Sequence, residues 1–524
     1  MESTIESPPQ SAVRSNVRWF VCVLLFVATT INYLDRQVLS LTWKDFIAPE
    51  FHWTNNDYGN ITSLFSIFYA LSMLFVGRLV DRLGTRRGFV WAIVVWSVGA
   101  CLHAFCGIAT AGVLRGHWLV SFAGAREVIA AVDNISLVAS TSVGFFIFAR
   151  LILAVGESGN FPAAIKAVAE FFPKKDRAFA TSLFNSGAAV GAMLAPLVVP
   201  TLAKAFGWEA SFIIIGALGF VWIAAWLGIY RKPHEHPGVN AAELAYIQQD
   251  HDHPPAGSVD VGIDLHKVSL LACLRHRQTW AIVLARFLTD GVWWFFLFWT
   301  PAYLSDVYHI KSSDAAGKVA MSVLYALTML SIIGGWLPSH FVSKKGMDPY
   351  AGRMRAMLIF AFFPLLALLA QPAGHYSYWW PVVIIGVAGA AHQSWSANMF
   401  STVGDMFPKR AIATVTGIGG MAGGIGSFLI NKASGVLFDY AQKTWSTIDG
   451  VPFLQKFPQY AGPDKPAQTA SELLKALAKD PSLHVYDGVS AGYMIIFSVC
   501  AVAYLIGWTV MKTLVPRYKI ITDL

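Results

Sequence analysis

Residues 19–43, WFVCVLLFVATTINYLDRQVLSLTW, form a run of about 25 residues that is apolar except for a few positions in its second half. As a helix it can cross the roughly 30 Å hydrocarbon core of a bilayer. Asp35 and Arg36 stand side by side inside it. A full charge at the centre of a spanning helix costs about 2.5–3.5 kcal/mol on insertion scales, so such residues persist only where other helices or a wet cavity receive them. The run is one of many. Of 524 residues, 55% are hydrophobic and 13% charged, with mean hydropathy +0.52, whereas soluble domains carry about 25% charged residues. The surplus apolar surface must face lipid. Twelve apolar segments of spanning length lie near 19–41, 57–79, 88–110, 141–164, 179–201, 210–230, 279–302, 318–340, 354–372, 379–404, 412–438 and 490–513. The predicted fold class is therefore an all-α membrane protein with twelve transmembrane helices.

The net charge of +8 is unevenly placed. Lys and Arg gather in alternate loops: RLVDRLGTRR, FFPKKDR, RKP with LRHR, SKKGMDPYAGRMR, FPKR and the tail MKTLVPRYK. This is the positive-inside pattern and places both termini in the cytoplasm. It also argues against a nucleic-acid partner, which would gather the charge on one basic patch. Residues 1–18 are polar and lack a basic region followed by a short apolar one, so they read as a cytoplasmic tail rather than a cleaved signal. The five cysteines are scattered and have no disulfide or metal spacing. The histidines of HEHP and HDH, in the middle of the chain, likewise lack ligand spacing and read as part of a solvated linker. Neither metal nor cofactor is expected.

GRLVDRLGTRRG at 77–88 returns in degraded form as GWLPSHFVSKKG at 335–346, and FFPKKDRAFAT at 171–181 returns as MFPKRAIAT at 406–414. A chain that repeats itself across six spans is a tandem of two pseudo-symmetric six-helix halves, here 19–230 and 279–513. The two offsets, 258 and 235, differ by 23 residues. That difference locates extra length in the first half at about 113–140, between the third and fourth spans. A second long loop, about 439–489, precedes the last span. Both are extracytoplasmic by alternation. Neither WLVSF nor VIAAV in the first loop is long enough to add a span. The halves are joined by a cytoplasmic linker, 231–278, in which NAAELAYI reads as a helix start with Asn240 as N-cap and Glu243 at N3. Residues 514–524 form a cytoplasmic tail.

Twelve spans in two halves, with GRLVDRLGTRRG between the second and third, resemble the major facilitator superfamily. The motif matches at Gly77, Asp81, Arg82, Gly84, Arg86 and Arg87. The resemblance implies that these residues form a cytoplasmic latch between the halves in the outward-open state. NYLDR in the first span, RLILAVGESGNFPAAIKAVAEFFP in the fourth and AAHQSWSANMFSTVGDMFPKRAIATVTGIGG in the tenth and eleventh resemble the anion:cation symporters, above all those for hexuronates and aldonates. This implies a monomeric transporter of a bacterial inner membrane that takes up a sugar acid with protons. The two long loops depart from that pattern.

The charged residues suggest roles of their own. Neighbours on a helix point about 100° apart, so Asp35 and Arg36 cannot neutralise each other well. Arg150 and Glu157 lie seven apart on one face of the fourth span, and Arg286 and Asp290 one turn apart on the seventh. Buried ion pairs are weak stabilisers, so three such sets point to a common central cavity. Arg36, with its planar fork, is the candidate for the substrate carboxylate. Arg150 is expected to partner Asp35, and Asp35 and Glu157 to carry protons. Tyr33, Tyr69, Asn185, Gln393, Asn398 and Trp395 are candidates for a polyol, and Trp293, Trp294 or Trp299 could stack on its apolar face. His392 is a secondary candidate for proton relay. GIGGMAGGIG at 417–426 lies in an apolar helix without a preceding strand, so it reads as a helix-contact surface, pairing Gly419 with Gly423 and Gly420 with Gly424. Two rivals are an organic-phosphate antiporter, with Arg36 and Arg286 clamping phosphate, and a polytopic membrane enzyme. No nucleophile–base or metal constellation supports the enzyme.

Overall fold

The computed structural model describes residues 14–249, 269–460 and 480–522, with scattered positions between 470 and 478; the side chains of Asp81, Lys174, Lys175, Ala178, Lys409, Arg410 and Ala413 lie outside that description. Ten helical stretches are long and apolar enough to cross a membrane. In chain order they are Val17–Phe51, Asn55–Val80, Arg82–Ala104, Ile135–Phe171, Phe179–Phe206 and Trp208–Ile229 (spans 1 to 6), Arg277–Tyr308, Ala315–Lys345 and Pro349–Gly374 (spans 7 to 9), and Val489–Leu514 (span 12). Two further long helices, Trp379–Met406 and Lys409–Trp445, are spans 10 and 11. His392, Gln393, Ser394 and Asn398 hold the hydropathy of span 10 down. All-helical membrane architecture follows from the apolar runs; the exception is a patch of three two-residue strands.

Two spans are irregular where it matters. Span 1 passes through a π-helical turn at Trp43–Ile47 before ending at Phe51. Span 4 consists of Ile135–Glu157 and Asn160–Phe171, separated at Ser158 and Gly159. The break leaves Glu157 as the last residue of the first piece, in the middle of the span. Non-helical backbone at membrane depth is tolerated where protein or a cavity surrounds it.

The glycine-rich stretch of span 11 is a contact surface: of the two expected pairs, Gly419 and Gly423 share a face against span 7, whereas Gly420 and Gly424 do not act together. Side chains added at Gly419, Gly423 and Gly426 would meet Arg286, Asp290 and the Phe287 carbonyl of span 7, respectively. Gly424 instead faces Ala70 of span 2, in the other half, and Gly420 faces open space.

At one end of the bundle, between spans 3 and 4, the helices Cys106–Arg115 and Phe122–Ala130 form a cap. Arg126 ties this cap to the span ends, 2.5 Å from Glu209 and 3.2 Å from Glu50. At the same end the loop before span 12 pairs β1 (Thr447–Ile448) with β2 (Val451–Pro452) and β3 (Val485–Tyr486), all antiparallel. Ile448, Phe453 and Leu474 give it a small core of its own.

The opposite end carries the termini and the linker. Asn240 caps helix Ala241–Gln248, accepting from the Glu243 N–H at 2.8 Å. Glu243 does not complete the reciprocal bond of a capping box. Its fully buried carboxylate accepts from Ser15 Oγ and the Val17 and Arg18 amides and pairs with Arg18 Nη1 at 3.1 Å. The first part of the linker is thus docked on the start of span 1 rather than freely solvated. His236 of HEHP donates from Nε2 to Ile229 O and accepts at Nδ1 from the Gly238 N–H, while the HDH histidines lie outside the described residues.

A Cβ at Gly426 would collide with the Phe287 carbonyl, whereas one at Gly420 meets nothing within 4 Å. Overpacking of this kind costs about 1–3 kcal/mol, while Gly→Ala in an unhindered helix gains up to about 1 kcal/mol. Thermal melts of the purified protein should therefore show Gly426→Ala clearly destabilised and Gly420→Ala unchanged or stabilised.

Candidate functional site

The charges of spans 1 and 4 meet in the interior. Asp35, Arg36, Arg150 and Glu157 are all 3% exposed or less. Helical phase explains part of this: residues seven apart return to the same face of a helix, so Arg150 and Glu157 both look toward span 1. The expected pairing is exchanged. Arg36 holds Glu157, with Nε at 3.0 Å and Nη2 at 2.7 Å from the same carboxylate oxygen, Oε2. The anticipated bond between Asp35 and Arg150 is not made. Both Asp35 oxygens, Arg150 Nη1 and Glu157 Oε1 are buried without a hydrogen-bond partner.

The Arg36 guanidinium lies in an aromatic cage. Its carbon is 5.0 Å from the Tyr33 ring, 4.8 Å from Tyr69, 6.0 Å from Phe65 and 5.0 Å from Trp294. Cation–π attraction at these distances is strongest when the cation is desolvated. Trp294 comes from span 7, so the cage closes across the two halves. Arg150 also stands over the Phe65 ring, at 5.1 Å. Further orphaned polar atoms line the same half: both amide atoms of Asn32, Nε2 of Gln37, Oδ1 of Asn160 and Nε2 of His103. Unpartnered buried polar groups are rare in native proteins; among the described residues others occur elsewhere, at Trp96, Tyr325, Trp395 and Ser434, so it is the ion pair beside an unpartnered Asp35 that marks a place suited to water or a ligand.

Other candidates are placed differently. In span 7, Arg286 and Asp290 form their own i,i+4 pair at 2.7 Å, with Arg286 over Phe400 at 4.6 Å. Arg286 is therefore not free to join Arg36 in a two-arginine clamp. Asn398 donates to Gly334 O at 2.9 Å and Ser394 O at 2.8 Å, tying span 10 to span 8. His392 shares a hydrogen bond with Tyr504 at 2.7 Å and lies parallel to Trp293 at 5.5 Å. Trp395 is buried edge-on against Tyr504. Gln393 is half-buried, and Asn185 is exposed on span 5; neither joins the Arg36 cluster. Of the three tryptophans, Trp294 reaches the cage, while Trp299 donates to Asn431 and packs on Trp43 and Tyr58.

Phe65, Asn32, Gln37, Asn160 and His103 escaped the sequence reading. The signal was available for Asn32, one helical turn before Arg36, and for Asn160, one residue beyond the span 4 break. Phe65 carries no such mark, because an aromatic in a membrane helix is ordinarily packing.

The halves are locked at the loop-bearing end. Asp439 accepts from Asn55 and Asn56 at 2.9–3.0 Å, and Lys432 donates to Asn56 and Asn60. Lys44 pairs with Asp306 at 2.7 Å, Asp45 accepts from Ser305 and Ser312, and Tyr58 donates to Phe298 O. At the other end the motif residues Arg82, Arg86 and Arg87 are exposed. Arg86 donates to Leu227 O within its own half, and added side chains at Gly77 and Gly84 would meet nothing within 4 Å. Gly84 has φ +75°, a left-handed conformation suited to glycine. The Asp81 side chain lies outside the described residues. The motif makes no described bridge between halves in this conformation.

Known proteins carry the same architecture. A structure of a bacterial homologue of the human lysosomal transporter Spinster, inward-facing and occupied, covers 95% of this chain and 96% of its own at TM-score 0.62 and 18% identity. A D-xylose–proton symporter covers 94% and 97% at TM-score 0.57 and 13% identity. In sequence, the hexuronate transporter of Escherichia coli (strain K12) is 28% identical over 429 residues, spanning 81% of this chain and 88% of its own. The galacturonate transporter of Dickeya chrysanthemi is 28% identical over 62% of this chain and 82% of its own. The probable galactarate/D-glucarate transporter of Escherichia coli (strain K12) is 25% identical over 80% and 88%. Residues 25–430 match the Major Facilitator Superfamily, and the chain belongs to that family of membrane transporters.

Proposed function

We propose that this protein is a secondary transporter that imports a sugar-acid anion, a hexuronate or an aldonate, together with protons. The observation that carries this reading is the buried Arg36–Glu157 pair in its aromatic cage, beside an Asp35 carboxylate with no hydrogen-bond partner among the described residues. The sugar acids named for the relatives bear a carboxylate, and a carboxylate can compete with Glu157 for Arg36. When it does, Glu157 is left buried without its cation. An uncompensated buried carboxylate takes up a proton in preference to staying charged. Substrate entry and protonation thereby favour each other, and linkage requires the converse as well. The aromatic rings and the orphaned amides of Asn32 and Asn160 suit a polyol with one apolar face.

Directionality rests on the same structure. With its loop-bearing end locked, access to the site would open from the end that holds the linker and most of the basic loops. On the positive-inside rule that end is cytoplasmic, and the membrane is a bacterial inner membrane. The motif at 77–88 would then latch the halves only after the bundle rocks to the opposite state. The organic-phosphate reading is weakened because Arg286 is already paired with Asp290.

Proteoliposomes offered labelled galacturonate, glucuronate, galactonate and gluconate under an imposed pH gradient test the function directly. Accumulation of at least one, abolished by a protonophore, is expected. Exchange alone, indifferent to the gradient, would instead establish an antiporter. Glu157→Gln should keep counterflow and lose gradient-driven accumulation, because the amide cannot carry the proton. Its thermal melt should be compared with wild type, since removing one partner of a buried pair costs about 3–5 kcal/mol.

Arg36→Lys removes the planar fork while keeping the charge. A hydrogen bond to a charged group is worth about 1.5–3 kcal/mol, so substrate affinity should fall roughly 10- to 150-fold. Direct binding to the purified variant is the measurement, and near-normal affinity would place the substrate carboxylate elsewhere.

A further inference from the structure

We propose that the groove between the end of the linker and the C-terminal tail is a binding site for the phosphate headgroup of an anionic lipid. The groove, about 760 Å³, is lined by Arg275, His276 and Arg277 on one wall and by Arg517, Tyr518 and Lys519 on the other. None of its described lining residues carries a carboxylate, and Asp405, near Tyr518, is paired with Arg353 at 3.1 Å. Arg275, Arg277, Arg517 and Lys519 are all exposed, and none takes part in an ion pair among the described residues.

The tail that forms the second wall is held in place. Val515 O accepts from Tyr350 at 2.6 Å, Pro516 O from Lys512 at 2.8 Å, and Met406 O receives the Ile521 N–H at 2.9 Å. Tyr518 donates to Asp405 O at 3.1 Å. Four cations are thus brought around one concavity, although topology alone needs only their number on one side of the membrane. The first turn of span 7, a 32-residue helix beginning at Arg277, opens onto the same groove and adds the positive end of its dipole to the field.

The surroundings choose a lipid over a soluble anion. Leu270, Leu271, Trp280 and Ile520, near the groove, are 47%, 72%, 44% and 51% exposed. Apolar and tryptophan side chains beside a cluster of cations match the boundary between headgroups and acyl chains. A phosphodiester can sit among the cations while its chains cover these residues. The occupant would bridge the start of span 7 and the tail beyond span 12, both in the second half.

The test uses purified full-length protein in detergent micelles doped with phosphatidylglycerol, with native mass spectrometry reading the lipid retained. Each basic residue near an anionic surface contributes about 1 kcal/mol, close to fivefold in affinity. The double variant Arg275→Gln/Arg277→Gln should therefore lose retention roughly 25-fold. Lys344→Gln/Lys345→Gln, an equal charge loss at the same end outside the groove, should change it less than twofold. Phosphatidylcholine should not be retained, and inorganic phosphate should not displace phosphatidylglycerol. Equal losses in the two variants, retention of phosphatidylcholine, or displacement by inorganic phosphate would each overturn the assignment.

Discussion

The Arg36–Glu157 bond is the interaction on which the interior depends. Both groups are out of water, where an unpaired ion is far costlier than an ion pair. Everything near it serves to hold the two at 2.7 Å without sealing them permanently. The helix break at Ser158–Gly159 falls directly after Glu157 and ends its helix there. Four aromatic rings surround the guanidinium in place of water. They attract the cation but donate no competing carboxylate, so the pair stays exchangeable. A site that instead satisfied every lone pair of Glu157 would be more stable and less responsive. The orphaned Oε1 is consistent with the responsive design.

The contrast between the two halves sharpens this. In the first half the cluster of Asp35, Arg36, Arg150 and Glu157 leaves charged atoms of Asp35, Arg150 and Glu157 unpartnered. In the second half Arg286 and Asp290 satisfy each other within one helix, Asn398 bonds to backbone carbonyls, and His392 bonds to Tyr504. On the proposed cycle, coupling chemistry belongs to the first half, and the second supplies Trp294 as a wall. The wall is what lets movement between halves change the environment of Arg36. Polar groups lock the halves at the loop-bearing end, where water can replace them. Deeper in the membrane, Gly424 meets Ala70, beside a buried hydrogen bond across the halves from Ser427 to Ser66 at 3.0 Å.

The charges themselves were legible because an ion in an apolar run has so few explanations. Asp35, Arg36, Arg150 and Glu157 all proved to lie in one cluster. Which acid meets which base was not legible, since it depends on the rotation of span 1 against span 4 and on the break at Ser158, a matter of tertiary packing. The same limit separates Trp294 from Trp293 and Trp299. All three are aromatic positions of one helix, and only the angle to its neighbours decides which ring faces Arg36. Span 10 erred in the other direction. Its polar side chains look like a ligand shell in sequence, yet Asn398 and His392 are engaged by span 8 and span 12. Glu243 was recognised at N3, but its partners lie more than 200 residues earlier in the chain, beyond what a local capping pattern can convey.

The docked linker bears on how the halves can move. Because Glu243 accepts from the first amides of span 1 and pairs with Arg18, the helix at 241–248 belongs mechanically to the first half. Tyr246 adds a hydrogen bond to Asp176 at the start of the fifth helix, and Arg14 and Arg18 lie over its ring. Breaking this contact would strand a buried carboxylate, so it persists while weaker contacts exchange. The segment from residue 269 onward packs with the second half through Cys273 O, which accepts from Thr279 at the start of span 7. The two ends of the linker would therefore travel with different halves when one rocks against the other.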